Sequence, residues 1–144
     1  FPTEAAERLR KWVERGGGLL LTHDACGYRQ CPSLFGALWR ATGHSRGRTV
    51  EVARPHPLTQ GIDAAVPFEH SYYDHLQLDV RPPAVAVVVC EPEGTPVVAA
   101  AKVGKGRVVG CGLALGLAPD DEDVEPGPAE AALVRNAVRW LAAR

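Results

Sequence analysis

The sequence predicts an α/β fold, and three patterns along the chain carry this prediction. Apolar residues return every three to four positions from Ala5 to Gly16, as on one face of a helix. The segment 18–23 (GLLLTH) is continuously apolar before its polar end, which is typical of a strand covered on both faces in a parallel sheet. The segment 128–143 has a broad apolar face at helical spacing. A helix, a glycine turn and a buried strand form half of an α/β unit.

The elements between these segments follow from local signals. Pro32 suits the first turn of a helix, so we predict a helix over 32–41. The glycine-flanked turn 104–106 (GKG) predicts that the strands on either side form an antiparallel hairpin. The acidic, proline-containing segment 120–127 predicts a surface loop. Strands are predicted at 49–53, 76–80, 84–90, 96–103 and 107–113.

Length and composition narrow the class of protein. The chain has 144 residues, of which 46% are apolar and 23% charged, so we expect one globular domain over 1–144. A net charge of −1 carries none of the basic excess of nucleic-acid-binding proteins. The apolar run 85–89 is far shorter than the ~20 residues that span a bilayer. We therefore expect a cytoplasmic protein with neither a nucleic-acid nor a membrane partner.

The four cysteines do not form a recognisable metal or disulfide framework. No CxxC pair is present, which excludes a standard zinc ribbon or thioredoxin motif. Cys90 and Cys111 lie in apolar runs and are expected in the core. Cys26 and Cys31 lie in a polar segment, where a disulfide, a reactive thiol and no role at all stay open.

Several separated motifs occur in an order that resembles one known family. They are LRKWVERGGGLLLTH at 9–23, HPLTQGI at 56–62, PVVA at 96–99 leading into GKGRV at 104–108, and the helix 132–141 with its Asn and Trp. In this order they resemble the ThuA-like (trehalose-utilisation) branch of the class I glutamine amidotransferase-like superfamily. The similarity covers nearly the whole chain.

The resemblance implies a three-layer, flavodoxin-like sandwich that ends in an antiparallel hairpin. Family members begin with two further β–α units, of roughly 30 residues each, before the helix that opens this chain. Without those units, the strand at 19–23 would have an unpaired, leucine-rich edge. Since the first residue is Phe1 rather than Met, we expect an additional N-terminal part, and whether the chain pairs with it or forms a homo-oligomer stays open.

The resemblance also points to a turn after this strand, where the superfamily carries a nucleophilic cysteine. Here that position is His23, as in the ThuA-like branch, and Cys26 follows three residues later. The segment 110–117, which matches the place of the superfamily's catalytic histidine, contains neither histidine nor carboxylate, and Leu117 stands where ThuA-like relatives often have histidine. We therefore expect no glutaminase activity.

A polar set remains as the candidate site. Strand ends in open α/β sheets bind ligands, and His23 lies at such an end. Asp74 can orient the imidazole of His75 or His23, so we predict His23 and Asp74 as catalytic residues. The same groups are the type that binds a divalent metal, although we predict neither a metal nor a cofactor. The predicted ligand-binding residues are His23, Asp24, Tyr73, Asp74 and His75.

A second histidine motif has a structural explanation. Pro57 fixes its own backbone φ angle, Gly61 permits a positive φ, and His56 can hydrogen-bond the turn between them.

Three functions stay open: binding of or action on a carbohydrate or similar small polar ligand, an inactive amidotransferase-like interaction module, and a hydrolase that uses Cys26.

Overall fold

The fold is α/β, with a mixed sheet and two α-helices. The computed structural model describes residues 3–28, 33–72, 74–90, 93–116 and 125–143. Its helices are α1 (Thr3–Glu14) and α2 (Pro128–Ala142). Two short 3₁₀ helices occupy His23–Cys26, named the elbow helix here, and Pro57–Thr59. The strands are β1 (Gly18–Thr22), β2 (Trp39–Ser45), β3 (Thr49–Val52), β4 (Phe68–Glu69), β5 (His75–Val80), β6 (Val85–Cys90), β7 (Pro96–Val103) and β8 (Gly106–Cys111).

In the described part of the chain, six strands form the main sheet, in the order β1-β8-β7-β6-β3-β4. β1 and β8 are parallel, whereas the other neighbours in this sheet are antiparallel. Val103 pairs with Gly106 at the end of the β7–β8 ladder, which confirms the predicted hairpin. β1 lies at one edge of the sheet, and β2 and β5 form a separate antiparallel pair.

The sheet has a hydrophobic core on each face. Successive residues of β7 alternate between these cores, because side chains of a strand point to opposite faces. Ala99 and Ala101 join the core formed with α1, β2 and β5, whereas Val98 and Ala100 join the core formed with α2. Cys90 and Cys111 are each 1% exposed, which confirms their predicted burial.

The predicted helix at 32–41 is wrong. Residues 34–38 form turns, and β2 begins at Trp39 and pairs with β5. The apolar residues that suggested a helix are buried as expected, but they reach the core from turns and a strand. Trp39 lies against Gly110, where an added Cβ would approach the indole ring to 2.6 Å. This packing and the pairing of β2 with β5 override the helical spacing of the apolar residues, and the poor helix formers Thr42 and Gly43 within β2 favour the strand.

The flavodoxin-like, three-layer arrangement and the additional N-terminal units stay predictions. The segment 120–124 lies outside the described residues, so the predicted surface loop is described only from residue 125. Within the described part of the chain, no helix is long and apolar enough to cross a membrane.

Candidate functional site around the elbow helix

The chain bends sharply at the residue that follows β1. The parallel β1–β8 ladder ends at the pair Thr22 and Cys111, and His23 then adopts φ +44°. Within the described residues, no other non-glycine residue has a positive φ. Such conformations are uncommon for a side chain other than Gly, Asn or Asp and concentrate at functional turns. The turn expected after this strand is therefore present, with the His23 ring at the carboxyl end of two parallel strands.

Asp24 lies beside one ring nitrogen of His23. Its Oδ1 is 3.2 Å from His23 Nδ1. The other nitrogen, Nε2, is buried and has no hydrogen-bond partner among the described residues. Whether Nε2 donates or accepts depends on the tautomer of the ring.

Asp74 is partnered by a residue that the sequence analysis missed. Its Oδ1 lies 3.1 Å from Nδ1 of His44, rather than against His23 or His75 as predicted. The β2–β5 pairing brings the two residues together, since Ser45 is opposite His75. The edge of the His44 ring also meets Tyr28, with 5.9 Å between ring centroids. Recognising β2 as a strand would have revealed this pair.

Two fully buried histidines lie beside these groups. His70 Nε2 is 3.1 Å from the carbonyl oxygen of Gly47 and 3.3 Å from Nδ1 of His75. Burial lowers the pKa of both rings below the usual 6.5, more than their hydrogen bonds to backbone raise it. Both side chains are therefore neutral at pH 7. The charges of Asp74 and Glu93 raise the pKa of His75 slightly, and that of His23 lowers it.

A buried carboxylate, also missed by the sequence analysis, holds the segment before Asp74. Glu130 is fully buried in the first turn of α2. Its two oxygens accept hydrogen bonds from Ser71 N at 2.9 Å, Ser71 Oγ at 2.9 Å and Gly116 N at 3.1 Å. Helix N-termini favour negative charge, which adds to these bonds. Glu130 thereby ties the 70–75 loop to the segment that follows β8.

Cys26 does not have the environment of a nucleophile. It is fully buried, and its Sγ–H donates to the carbonyl oxygen of Leu21 at 3.4 Å. Burial strongly raises the pKa of this thiol, and the neighbouring Cys111 raises it further. The thiol form therefore prevails, which argues against the hydrolase hypothesis. Cys26 is a free cysteine, and Cys31 lies outside the described residues.

Some predicted positions cannot be placed. Tyr73 and Leu117 lie outside the described residues. The described part of the late segment, 110–116, contains no histidine or carboxylate side chain. Within the described ranges, no group of three or more His, Cys, Asp or Glu side chains is arranged to hold a metal ion.

The second histidine motif forms a capped turn away from the elbow. His56 Nδ1 accepts a hydrogen bond from Leu58 N at 3.2 Å, and the backbone N–H of His56 donates to Thr59 Oγ1 at 3.1 Å. The ring also meets the Trp140 indole, with 5.1 Å between centroids. A cavity of about 590 Å³ adjoins this turn and includes His56 in its lining, at a place distinct from the elbow. We favour the elbow, because burial and unpartnered ring nitrogens are concentrated there.

Comparisons with solved structures support the same fold. A protein titled Cytoplasmic Protein STM3548 from Salmonella typhimurium matches 97% of this chain and 61% of its own, with 16% identity and a TM-score of 0.67. The chain thus spans about three fifths of that protein. The mmIFT52 N-terminal domain matches 100% of this chain and 73% of its own, with 17% identity and a TM-score of 0.71. A β-galactosidase from Bacillus circulans sp. alkalophilus matches 94% of this chain and 20% of its own, with 14% identity and a TM-score of 0.62.

The sequence comparison is more specific than the structural one. No curated protein matches the chain. The family model described as trehalose utilisation, ThuA, matches residues 1–141, which is almost the full length. The chain therefore belongs to the ThuA family.

Proposed function

We propose that this ThuA-family chain binds, and acts on, a carbohydrate or similar small polar ligand at the elbow. The observation that carries the proposal is His23, held at φ +44° at the end of β1 with a buried ring nitrogen that lacks a partner among the described residues. Strain of this kind persists only where the surroundings enforce it, and it concentrates at functional sites. The family description, trehalose utilisation, supports a sugar as the ligand.

The neighbouring carboxylates give the proposed site its chemistry. Asp24 orients His23 so that Nε2 can act as a general base, in the way that a carboxylate fixes an imidazole in other enzymes. Asp74, paired with His44, supplies a second carboxylate–imidazole unit next to His75. His23 and Asp74 are the proposed catalytic residues, with Asp24 and His75 as ligand-binding residues. Tyr73 remains part of the proposal from sequence alone.

Glutamine hydrolysis is not part of this proposal. The buried Cys26 thiol has a raised pKa, and the described segment 110–116 offers no histidine to activate it. A cytoplasmic location is part of the proposal, and the name of the similar Salmonella protein, Cytoplasmic Protein STM3548, supports it.

The alternative is an interaction module, and one observation favours it. A cavity of about 500 Å³ lies between the outer edge of β1 and α2, lined largely by apolar residues such as Leu20, Leu115 and Val134. An apolar groove beside an unpaired strand edge is the type of surface that takes up another polypeptide strand. If the chain is an interaction module, the bend at His23 would be a structural feature of the fold, and the elbow would bind no ligand.

Calorimetry and thermal unfolding with trehalose and D-glucose distinguish a sugar-binding protein from an interaction module. A sugar at 100 times its dissociation constant should stabilise the chain by ~2.7 kcal/mol. His23→Asn, which tolerates the left-handed backbone, and Asp74→Asn should each weaken binding at least about tenfold, or ~1.4 kcal/mol. Asp79→Asn, at an exposed ion pair with Arg81, is the matched control and should bind normally. Absence of binding by either sugar would favour the interaction module.

A further inference from the structure

A third cavity lies beside the last turn of α2 and is named the His56–Trp140 cavity here. Its volume of about 500 Å³ is within the range of small-molecule sites in proteins. The lining comes from the second histidine motif, the start of β6, the end of β7 and α2, and it consists of His56, Pro57, Pro83, Val85, Ala100, Ala101, Lys102 and Trp140. His56 and Pro57 also line the cavity of about 590 Å³ described above, so the two cavities are adjacent.

The polar side chains in this lining present hydrogen-bond donors. The ammonium group of Lys102 and the indole N–H of Trp140 can only donate. His56 Nδ1 accepts a hydrogen bond from the backbone N–H of Leu58 at 3.2 Å, so the proton of a neutral His56 ring is on Nε2. Among the described lining residues, no side chain therefore offers an unoccupied acceptor.

These donors are accessible to a ligand. Lys102 is exposed and forms no ion pair with the described residues. No described residue accepts a hydrogen bond from His56 Nε2 or Trp140 Nε1, and neither atom is among the buried polar atoms that lack a partner. Both N–H groups therefore face solvent, where a ligand oxygen can replace water.

Positive charge surrounds the same cavity. The guanidinium carbon of Arg107 lies 5.4 Å from the centre of the Trp140 ring, and Arg107 also donates to the carbonyl oxygen of Trp140. This bond offsets the partial negative charge that a helix carries at its C-terminal end. Burial and the positive charge of Arg54 both lower the pKa of His56. The described lining contains no carboxylate, so the cavity favours an anion.

The two aromatic rings are held in place before any ligand binds. The His56 ring is fixed by its bond to Leu58 and meets the Trp140 ring with 5.1 Å between centroids. Trp140 is held in turn by Arg107. Groups that are already ordered cost less conformational entropy on binding. The remaining lining residues are proline, valine and alanine, which suit an apolar group.

We propose that the His56–Trp140 cavity binds a small organic anion, namely an apolar ring that carries a carboxylate or phosphate group. Lys102 supplies the charge, His56 and Trp140 supply N–H donors, and the apolar ring packs against the side chains of Pro83 and Val85. This site is separate from the elbow, and the inference does not rest on the proposed function.

NMR titration of the nitrogen-15-labelled chain with benzoate and phenyl phosphate tests the ligand class. We expect a saturable shift of the Trp140 indole N–H, assigned with Trp140→Phe, and no comparable shift at the exposed Trp12. Benzamide, which lacks the charge, and acetate, which lacks the ring, should each bind at least about tenfold more weakly than benzoate. Saturable binding of either aromatic anion supports the proposal, and the preferred one identifies the anionic group.

Lys102→Met keeps the length of the side chain and removes its charge. It should weaken binding of the preferred anion at least about tenfold. Lys105→Met, at an exposed lysine of the neighbouring hairpin turn that does not line the cavity, is the matched control and should bind within about twofold of the wild type at physiological salt. An equal loss in both variants would show general charge attraction and overturn the proposal.

Other results would also overturn the proposal. They are the absence of a saturable shift with either aromatic anion, equal affinity for benzoate and benzamide, and a Trp12 shift as large as that of Trp140. The nitrogen-15 spectrum of His56 checks the donor assignment without a ligand or a variant. We expect a proton on Nε2 and none on Nδ1, and the reverse tautomer would remove His56 from the donors.

Discussion

Individual side chains around the elbow differ in their exposure to solvent. His70 and His75 are almost fully buried and remain neutral, whereas His44 and Asp74 form a pair that is partly open to solvent. The buried polar groups near the elbow thus include two neutral imidazoles and the Glu130 carboxylate, whereas the His44–Asp74 pair is accessible to solvent. A solvent-accessible carboxylate–imidazole pair can form hydrogen bonds with a polar ligand.

The buried histidines predict that stability falls at acidic pH. Burial lowers the pKa of His70 and His75 below the 6.5 of the unfolded chain, so the unfolded state binds more protons in the window between these values. Their contribution is complete above about pH 6.5 and is lost as the pH falls through the folded-state pKa. Urea unfolding from pH 8 to pH 5 should show a falling midpoint.

A variant at His70 isolates the contribution of the buried histidines to the pH dependence of stability. His70→Gln removes one of the titrating groups and should flatten the dependence of the urea midpoint on pH. Val66→Ala, at an exposed residue that carries no proton, should keep the wild-type slope. Equal slopes in all three proteins would contradict this account.

Cys26 should be chemically inert in the folded protein. Because burial raises the pKa of its thiol, iodoacetamide at pH 7–9 should not label it until the chain is unfolded by guanidinium, as measured by mass spectrometry. Cys26→Ser should retain sugar affinity within about twofold and lose about 1 kcal/mol of stability. Rapid labelling at neutral pH, together with ammonia release from glutamine, would restore the hydrolase hypothesis.

The end of α1 lies close against the β7–β8 hairpin. Lys105 N donates to Glu14 O at 2.9 Å, and Arg107 N donates to Gly17 O at 3.1 Å. A Cβ added at Gly106 would lie 2.0 Å from the carbonyl oxygen of Val13. The hairpin therefore needs glycine here for the approach of two backbones.

Gly106→Ala should destabilise the fold by at least about 2 kcal/mol, because backbone rather than a flexible side chain must move. The urea midpoint measures this loss. Gly36→Ala is the control, since its nearest neighbour would be 3.8 Å away, and it should unfold within about 0.5 kcal/mol of the wild type. A Gly106→Ala protein as stable as the control would show that the α1–hairpin contact can relax.

The outer edge of β1 should be the weakest part of the main sheet. Among the described strands, β1 pairs with β8 alone, and Trp12 and Val138 on the flanking helices are 49% and 56% exposed. In hydrogen exchange on this chain, β1 amides that face away from β8 should exchange faster than those of β7. Full protection of β1 in a monomer would contradict the prediction that additional N-terminal units pair with this edge.

The whole molecule depends on contacts that join distant segments. Glu130 accepts hydrogen bonds from Ser71, 59 positions away, and from Gly116. Asn136, one turn and a half further along α2, donates to the carbonyl oxygens of Leu58 and Gln60. These bonds attach α2 to the turn around Leu58 and to the segments that contain Ser71 and Gly116.

Glu130→Ala should cost about 3 kcal/mol of stability, because it leaves three donors without their acceptor. It should also loosen the 70–75 loop, measured as faster hydrogen exchange at Ser71. Glu7→Ala on the exposed face of α1 is the control and should leave both quantities unchanged. An unaltered Ser71 amide in Glu130→Ala would mean that water or another acceptor replaces the carboxylate.

Local sequence patterns determined much of this architecture. The two helices, the buried strand after the glycine cluster and the hairpin around Gly106 each follow from signals within a few residues, namely apolar period and turn chemistry. The position of the elbow at His23 and the family also follow from short motifs in a fixed order. These helices, strands and turns were predictable because residues close together in the sequence determine them.

Only the tertiary structure decided which side chains meet. The sequence pattern placed a helix at 32–41, and this concealed β2 and with it the pairing of His44 with Asp74, 30 positions apart. The contacts of Glu130 with Ser71 and of His70 with His75 likewise have no local signature. Strand pairing and burial bring these groups together, and the energy of such contacts depends on the neighbours that the fold supplies, which a single segment of sequence does not contain.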